Sequence, residues 1–263
     1  MGRVRLSDGV SLNTRVDGSD GAPWVVLSNS LGSNLSMWDG QIALLTRKYR
    51  VLRYDHRGHG ASDVPPGPYS LDMLVGDVIE LMDHHGIDTA DWIGLSMGAM
   101  TGMGLAIHHP DRFGRMVLAD GRADAPEMFK AMWDQRIAVV TEGGTEAVAD
   151  GTLGMWLTED WRAANPEATA AVRAMIVATD PKGYVACCQG LKGLDYLKDL
   201  GSVRVPILYI CGAEDKGAPP EVMRAMAKET PGSRYVEIPN AGHVPNINRP
   251  ETFNTALSDF LGV

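Results

Sequence analysis

Five residues, Gly94-Leu95-Ser96-Met97-Gly98, carry the sharpest chemical signal in the chain. They follow the apolar pair Trp92-Ile93 and open an apolar run that continues to Ile107. A Gly-x-Ser-x-Gly segment between a strand and a helix is a tight turn that lifts the serine hydroxyl above the sheet. Small residues are needed two before and two after the serine, because its backbone is strained and its neighbours pass close to one another. The turn also sets Ser96 at a helix N-terminus, where free N–H groups favour negative charge. Such a serine attacks a carbonyl once a base takes its proton.

Seven histidines compete for the role of base. His84, His85, His108 and His109 end helical patterns, where capping of the last carbonyls is their simpler role. His56 and His59 sit in a Gly-rich turn, Asp55-His56-Arg57-Gly58-His59-Gly60, upstream of the serine, and read as structural. His243 lies in a loop after the last strand-like run, Arg234–Ile238, and before the C-terminal helix. The chain order serine, acid, histidine makes His243 the candidate base. The acid belongs at the end of a strand between the two. Asp215, in Gly212-Ala213-Glu214-Asp215-Lys216, is the first candidate; Glu214 beside it and Asp120, after the strand that follows the serine, are its competitors. An Asp in such a place can also simply cap the next helix. The oxyanion formed on attack needs two backbone N–H donors. Met97, after the nucleophile, supplies one, and Leu31, in the loop Ser28-Asn29-Ser30-Leu31-Gly32, supplies the other.

The elements that must hold these groups are legible as a pattern. Residues 24–28, 50–54, 91–95, 115–119 and 206–211 are short apolar runs ending in polar turns, which predicts strands buried on both faces. Leu71, Leu74, Val75, Val78, Ile79 and Met82 share one helical face, closed by Gly86. Phe253, Ala256, Leu257, Phe260 and Leu261 do the same near the C-terminus, with Asn248, Pro250 and Glu251 as a start signal. Strands alternating with helices predict a parallel sheet. The exception is residues 122–200, which hold no convincing strand but place Met128, Met132, Trp133, Trp156, Trp161 and Met175 in helical settings. This stretch reads as a helical cap over one end of the sheet. Residues 1–121 and 201–263 then form a single α/β core domain.

Composition narrows the function further. Lys and Arg number 24 against 33 Asp and Glu, a net charge of −9, with no basic run, so nucleic acid and anionic membranes are poor partners. An anionic substrate would need a local cation to hold it. Three cysteines, two of them adjacent at 187 and 188, imply neither a disulfide framework nor a zinc site. The N-terminal residues lack the apolar core of a signal peptide, and the least charged stretch, 92–107, is too short to cross a bilayer. A reduced, cytoplasmic setting fits.

The succession Asn29-Ser30-Leu31-Gly32, Met37-Trp38-Asp39, Arg53 to Ser62 (RYDHRGHGAS), Val64 to Leu71 (VPPGPYSL) and Gly94 to Gly98 resembles the α/β-hydrolase superfamily, and within it the 3-oxoadipate enol-lactonases of aromatic catabolism. The resemblance continues through Ala178-Thr179-Asp180-Pro181, Cys187-Cys188 and Gly212 to Asp215, so it covers nearly the whole chain. It implies a mostly parallel eight-stranded sheet flanked by helices, with a helical cap inserted after the sixth strand. It also implies cofactor-free hydrolysis of a small lactone or ester, with Ser96, Asp215 and His243 as the triad. Trp133 and Arg136 match a Trp-x-x-Arg-Ile segment of the lactonase cap, where an Arg could meet a substrate carboxylate bidentately. A packed Trp and a solvated Arg are the alternative. Arg122 could add a cation, and Asp124 could cancel it.

Two segments depart from the lactonase pattern: Val244-Pro245-Asn246-Ile247-Asn248 after the histidine, and Asp120-Gly121-Arg122-Ala123-Asp124 after the sixth strand. Both are expected at the pocket mouth, where they bear on the substrate and leave the triad untouched. A general carboxylesterase, another lactonase, a carbon–carbon bond hydrolase or perhydrolase, and a non-catalytic receptor on the same fold are the competing readings. A dehalogenase is disfavoured, because its nucleophile would be Asp where this chain has Ser96.

Overall fold

The computed structural model describes residues 2–263, in which strands and helices alternate except at the N-terminal edge and between the sixth and seventh strands. The chain begins with β1 (Gly2–Arg5), β2 (Ser11–Asp17) and β3 (Trp24–Ser28), then α1 (Asp39–Leu45), β4 (Arg50–Tyr54) and α2 (Leu71–His84). It continues through β5 (Ala90–Leu95), α3 (Met97–His108) and β6 (Phe113–Ala119). Five helices follow before the next strand: α4 (Glu127–Gly143), α5 (Glu146–Trp156), α6 (Glu159–Ala164), α7 (Pro166–Val177) and α8 (Pro181–Leu191). The chain closes with β7 (Ile207–Gly212), α9 (Pro220–Glu229), β8 (Arg234–Ile238), α10 (Pro245–Asn248) and α11 (Pro250–Leu261).

The eight strands form one sheet in the order β1-β2-β4-β3-β5-β6-β7-β8. Pairing is parallel from β4 onward, and β5 and β7 are buried along their whole length, as continuous apolar runs require. The strand–helix rhythm does not extend to the N-terminal edge. There β1 and β2 are antiparallel, and β2 pairs antiparallel with β4. Only residues 6–10 join β1 to β2, far too few for a crossover helix, so the chain must double back.

Apolar clusters lie on the two faces of the sheet. The helices between β6 and β7 contribute Phe129, Trp133 and Tyr184 to one cluster and Leu153, Trp156 and Ile176 to the other. These helices therefore bury their apolar faces against the sheet body. Helix α2 starts where Ser70 Oγ accepts the Met73 N–H at 3.1 Å, and it ends at Gly86 in the left-handed region (φ 64°). Of the expected start signal of the last helix, Pro250 and Glu251 stand in its first turn, but Asn248 is not its cap. Asn248 ends α10, and α11 begins at Pro250 behind Arg249, with no side-chain cap. Asn248 is held elsewhere, because its side chain bonds the loop that carries His243. Among the described residues no helix is long and apolar enough to cross a membrane.

Candidate active site

Ser96 stands between β5 and α3 with φ 55° and ψ −111°, a strained conformation for a residue with a side chain. The flanking glycines explain how it is accommodated. A Cβ on Gly94 would lie 2.2 Å from the Gly98 carbonyl oxygen, and a Cβ on Gly98 would lie 2.2 Å from that of Ser28. Only glycine lets strand, turn and helix approach this closely.

The structure brings Ser96, His243 and Asp215 together from three loops at the C-terminal ends of parallel strands. Ser96 Oγ lies 2.8 Å from His243 Nε2, and His243 Nδ1 lies 2.8 Å from Asp215 Oδ2. Asp215 also accepts the N–H groups of Gly217 at 2.7 Å and Ala218 at 3.2 Å. Burial opposes its charge, but His243 and the Gly217 N–H hold its carboxyl below the usual range. The acceptor role of Asp215 puts the ring proton on Nδ1 and leaves Nε2 free to take the Ser96 proton. Glu214 is exposed and takes no part in the chain of bonds. Asp120 lies close by, fully buried, with Oδ1 accepting the Gly212 N–H at 2.8 Å.

The loop after β3 supplies the other half of the geometry. The N–H groups of Ser30, Gly32, Ser96 and Gly98 all have acceptors, respectively Met37 Sδ, His59 Nε2 and the carbonyls of Ala119 and Asn29. Among the described residues the N–H groups of Leu31 and Met97 have none. These two donors, unsatisfied within the chain, flank the serine, as stabilisation of an oxyanion requires.

The Ser96 hydroxyl faces a cavity walled by Leu31, Met100, Phe129, Met132, Trp133, Met155, Trp156 and Tyr184, with Ser30, Asp120, Arg136, Thr152, Lys216 and His243 among its polar members. Arg136 donates from Nη2 to Thr152 Oγ1 and lies 6.0 Å from the Trp133 ring centre. Its Nε and the Trp133 Nε1 are buried with no acceptor. Among the described residues no carboxylate pairs with Arg136.

Other expected residues fall elsewhere. Arg122 does not line the cavity; it pairs with Asp124 at 3.3 Å and stacks over the Phe129 ring at 5.0 Å. A partner two residues away reaches it before any ligand could. Of the two segments expected at the pocket mouth, only Asp120 lines the cavity. In the other, Asn246 donates to the Met37 carbonyl at 2.8 Å, and Asn248 Oδ1 accepts the N–H groups of Gly242 at 2.8 Å and Thr158 at 3.3 Å. That segment fastens the histidine loop to its surroundings. The histidines at the helix ends do not cap carbonyls. His108 packs against Tyr196, and His84 packs against His85.

Some members of the site were not found from the sequence. Lys216 follows Asp215 directly, so its position was available from the acid's assignment. Thr152 and Tyr184 carried no local signal, because only the packing of α5 and α8 against α4 brings them to Arg136.

Comparison with known proteins agrees with this architecture. A family model described as alpha/beta hydrolase fold matches residues 23–250. The chain is 37% identical to 3-oxoadipate enol-lactonase 2 of Acinetobacter baylyi over 248 residues, covering 94% of this chain and 92% of that protein. The crystal structure of the enol-lactonase from Burkholderia xenovorans LB400 matches with a TM-score of 0.96 at 40% identity, over 100% of both chains. A thermophilic esterase from Thermogutta terrifontis, solved with malate bound, matches with a TM-score of 0.93 at 28% identity, over 100% of this chain and 98% of that one. A strained serine between strand and helix, a histidine and an acid from later strand ends, and this likeness over nearly the full length lead to one conclusion: the chain belongs to the α/β-hydrolase family.

Proposed function

We propose that this hydrolase opens a small lactone that bears a carboxylate, with Ser96 as nucleophile. Ser96 Oγ attacks the lactone carbonyl as its proton passes to His243 Nε2. The N–H groups of Leu31 and Met97 receive the negative charge that develops on the carbonyl oxygen. Asp215 holds the Nδ1–H and stabilises the imidazolium. The ring C–O bond breaks, the leaving oxygen takes the proton from His243, and an acyl-enzyme remains on Ser96. Water then gives a proton to His243 and attacks the acyl carbon. The acid product leaves, and the proton returns to Ser96. Lactone and water are consumed, an open-chain acid is formed, and no cofactor enters the balance.

The observation that carries the reading of the substrate is Arg136. It is a cation in a mostly apolar cavity and, among the described residues, is paired with no protein carboxylate; its Nε and the neighbouring Trp133 Nε1 have no acceptor. A carboxylate supplies both the missing charge and the missing acceptors. The enol-lactonase relatives support the same substrate class.

The test combines a probe and a panel. A fluorophosphonate, which mimics the tetrahedral intermediate, is expected to label Ser96 and to leave Ser96→Ala unlabelled. Among lactones and short esters, kcat/KM is expected to be highest for a carboxylate-bearing lactone. A preference for neutral esters would make the protein a general carboxylesterase.

A further inference from the structure

Asp120 ends β6 with its backbone in the left-handed region (φ 48°) and its side chain fully buried. That conformation is costly for a residue with a Cβ, so the surroundings hold its carboxyl in place. Oδ1 is fixed by the Gly212 N–H across the β6–β7 pair, but Oδ2 is buried with no hydrogen-bond partner. The groups that face it are Asp215 and Cys211; an oxygen of each carboxyl and the Cys211 sulfur lie within 4.8 Å of one another. His243 contacts Asp215 through Nδ1 at 2.8 Å. Lys216 and Arg136 line the same cavity, yet among the described residues neither forms an ion pair with Asp120.

Two carboxylates this close in a dry site do not both ionise. The charge settles on the better-solvated one. Asp215 has the imidazole N–H and two backbone N–H groups, whereas Asp120 has one. The proton therefore resides on Asp120, and its free oxygen becomes a donor beside an acceptor.

We propose that Asp120 is a positioning residue, a neutral carboxylic acid whose O–H donates to the Asp215 carboxylate and fixes its orientation toward His243. The proposal rests on the reading of Ser96, His243 and Asp215 as a catalytic set. Burial first, and the Asp215 charge second, push the Asp120 carboxyl well above the ordinary range, which agrees with it. A neutral Asp120 also keeps a second negative charge away from the imidazolium.

Infrared spectra near neutral pH read this proton directly. Wild type is expected to show a protonated-carboxyl band that is absent from Asp120→Asn and retained in Ser96→Ala. Asp120→Ala is expected to lower kcat roughly tenfold or more with KM nearly unmoved, since one hydrogen bond to a charged group is lost. Asp120→Asn, whose amide donates where the acid did, should restore most of that loss and keep the acid limb of the kcat/KM profile in place. An ionised Asp120 would stabilise the imidazolium, so neutral asparagine would then move that limb to lower pH. A missing infrared band, a limb so moved, or wild-type kcat in Asp120→Ala overturns the proposal. If the alanine variant does not fold, the band and the asparagine pH profile still decide. Failure of the underlying catalytic set looks different: Ser96→Ala or Asp215→Asn would turn over normally while the carboxyl band persists.

Discussion

The backbone N–H of Gly32 donates to Nε2 of His59 at 3.0 Å. A protonated imidazole has no free nitrogen to accept it, so this bond exists only while His59 is neutral, with its proton on Nδ1 toward the Arg57 carbonyl at 3.3 Å. The bond pins the loop that presents the Leu31 N–H. Burial pushes His59 down from 6.5 to about 4, and it pushes the neighbouring His56 down to about 3.

The contribution of these two histidines to stability should therefore fall as pH falls over a defined range. From about pH 6.5 down to about 4, the unfolded chain binds a proton at each of these histidines and the folded chain does not. Each group then removes about 1.4 kcal/mol per pH unit as pH falls. Asp77 and Asp120 act oppositely: burial raises the Asp77 carboxyl to about 6 despite the Arg57 ion pair and pushes that of Asp120 well above the ordinary range, so the folded form binds these protons earlier and offsets the histidines. A variant isolates the His59 part: His59→Gln can accept the same N–H and does not titrate. Urea unfolding at several pH values should show a slope smaller by about one proton than wild type. An unchanged slope would mean that His59 is not held neutral.

Asp215→Asn keeps the shape of the acid and removes its charge, which favours the wrong imidazole tautomer. A loss of about 10³–10⁴ in kcat is expected, with little change in thermal stability. Asp120→Asn should cost far less. The reverse ranking in steady-state kinetics would place the acid on β6.

Arg136→Ala tests the substrate carboxylate. A charged hydrogen bond in a partly dry pocket is worth about 1.5–3 kcal/mol, so KM for a carboxylate-bearing lactone should rise roughly 10- to 150-fold. A neutral ester of similar size should be nearly unaffected. Equal effects on both would remove the charge reading.

Gly98→Ala should damage both fold and function, because the added methyl meets the Ser28 carbonyl at 2.2 Å, and backbone on both sides must move. Thermal unfolding is expected to show a loss of about 1–3 kcal/mol or more. Fluorophosphonate labelling of Ser96 should slow as well. Wild-type values in both assays would mean that the turn yields more easily than its packing implies.

How far the sequence discloses this molecule differs from residue to residue. The buried parallel strands are legible because burial on both faces leaves apolar runs bounded by turns. The serine turn is legible because its strain demands small residues at fixed spacing. Asn248 misleads, since Asn-x-x-Glu with an intervening Pro imitates a helix start, while tertiary bonds to Gly242 and Thr158 claim the side chain. The pairing of Asp120 with Gly212, and with it the approach to Asp215, is hidden because five helices separate β6 from β7 along the chain. Lys216 at the cavity and the Arg122–Asp124 pair are both local in sequence, yet composition cannot tell which cation is left open.

The inserted helices are fastened unequally. The end of α5 is strapped to the histidine loop, with the N–H groups of His243 and Val244 donating to the carbonyls of Met155 and Trp156 at 3.2 and 3.3 Å. Helix α8 is bonded to the sheet body through the Tyr69 N–H, which donates to the Ala186 carbonyl at 3.1 Å. Among the described residues α4 makes hydrogen bonds only within the insertion, through Arg136 to Thr152 and Asp134 to Lys192. It is also the helix that carries Trp133 and Arg136. On the proposed reading, the charge that selects the substrate lies on the helix least fastened to the core by hydrogen bonds, so redesign for a differently charged ligand would begin at α4, with the hydrolytic apparatus beneath it left as it stands.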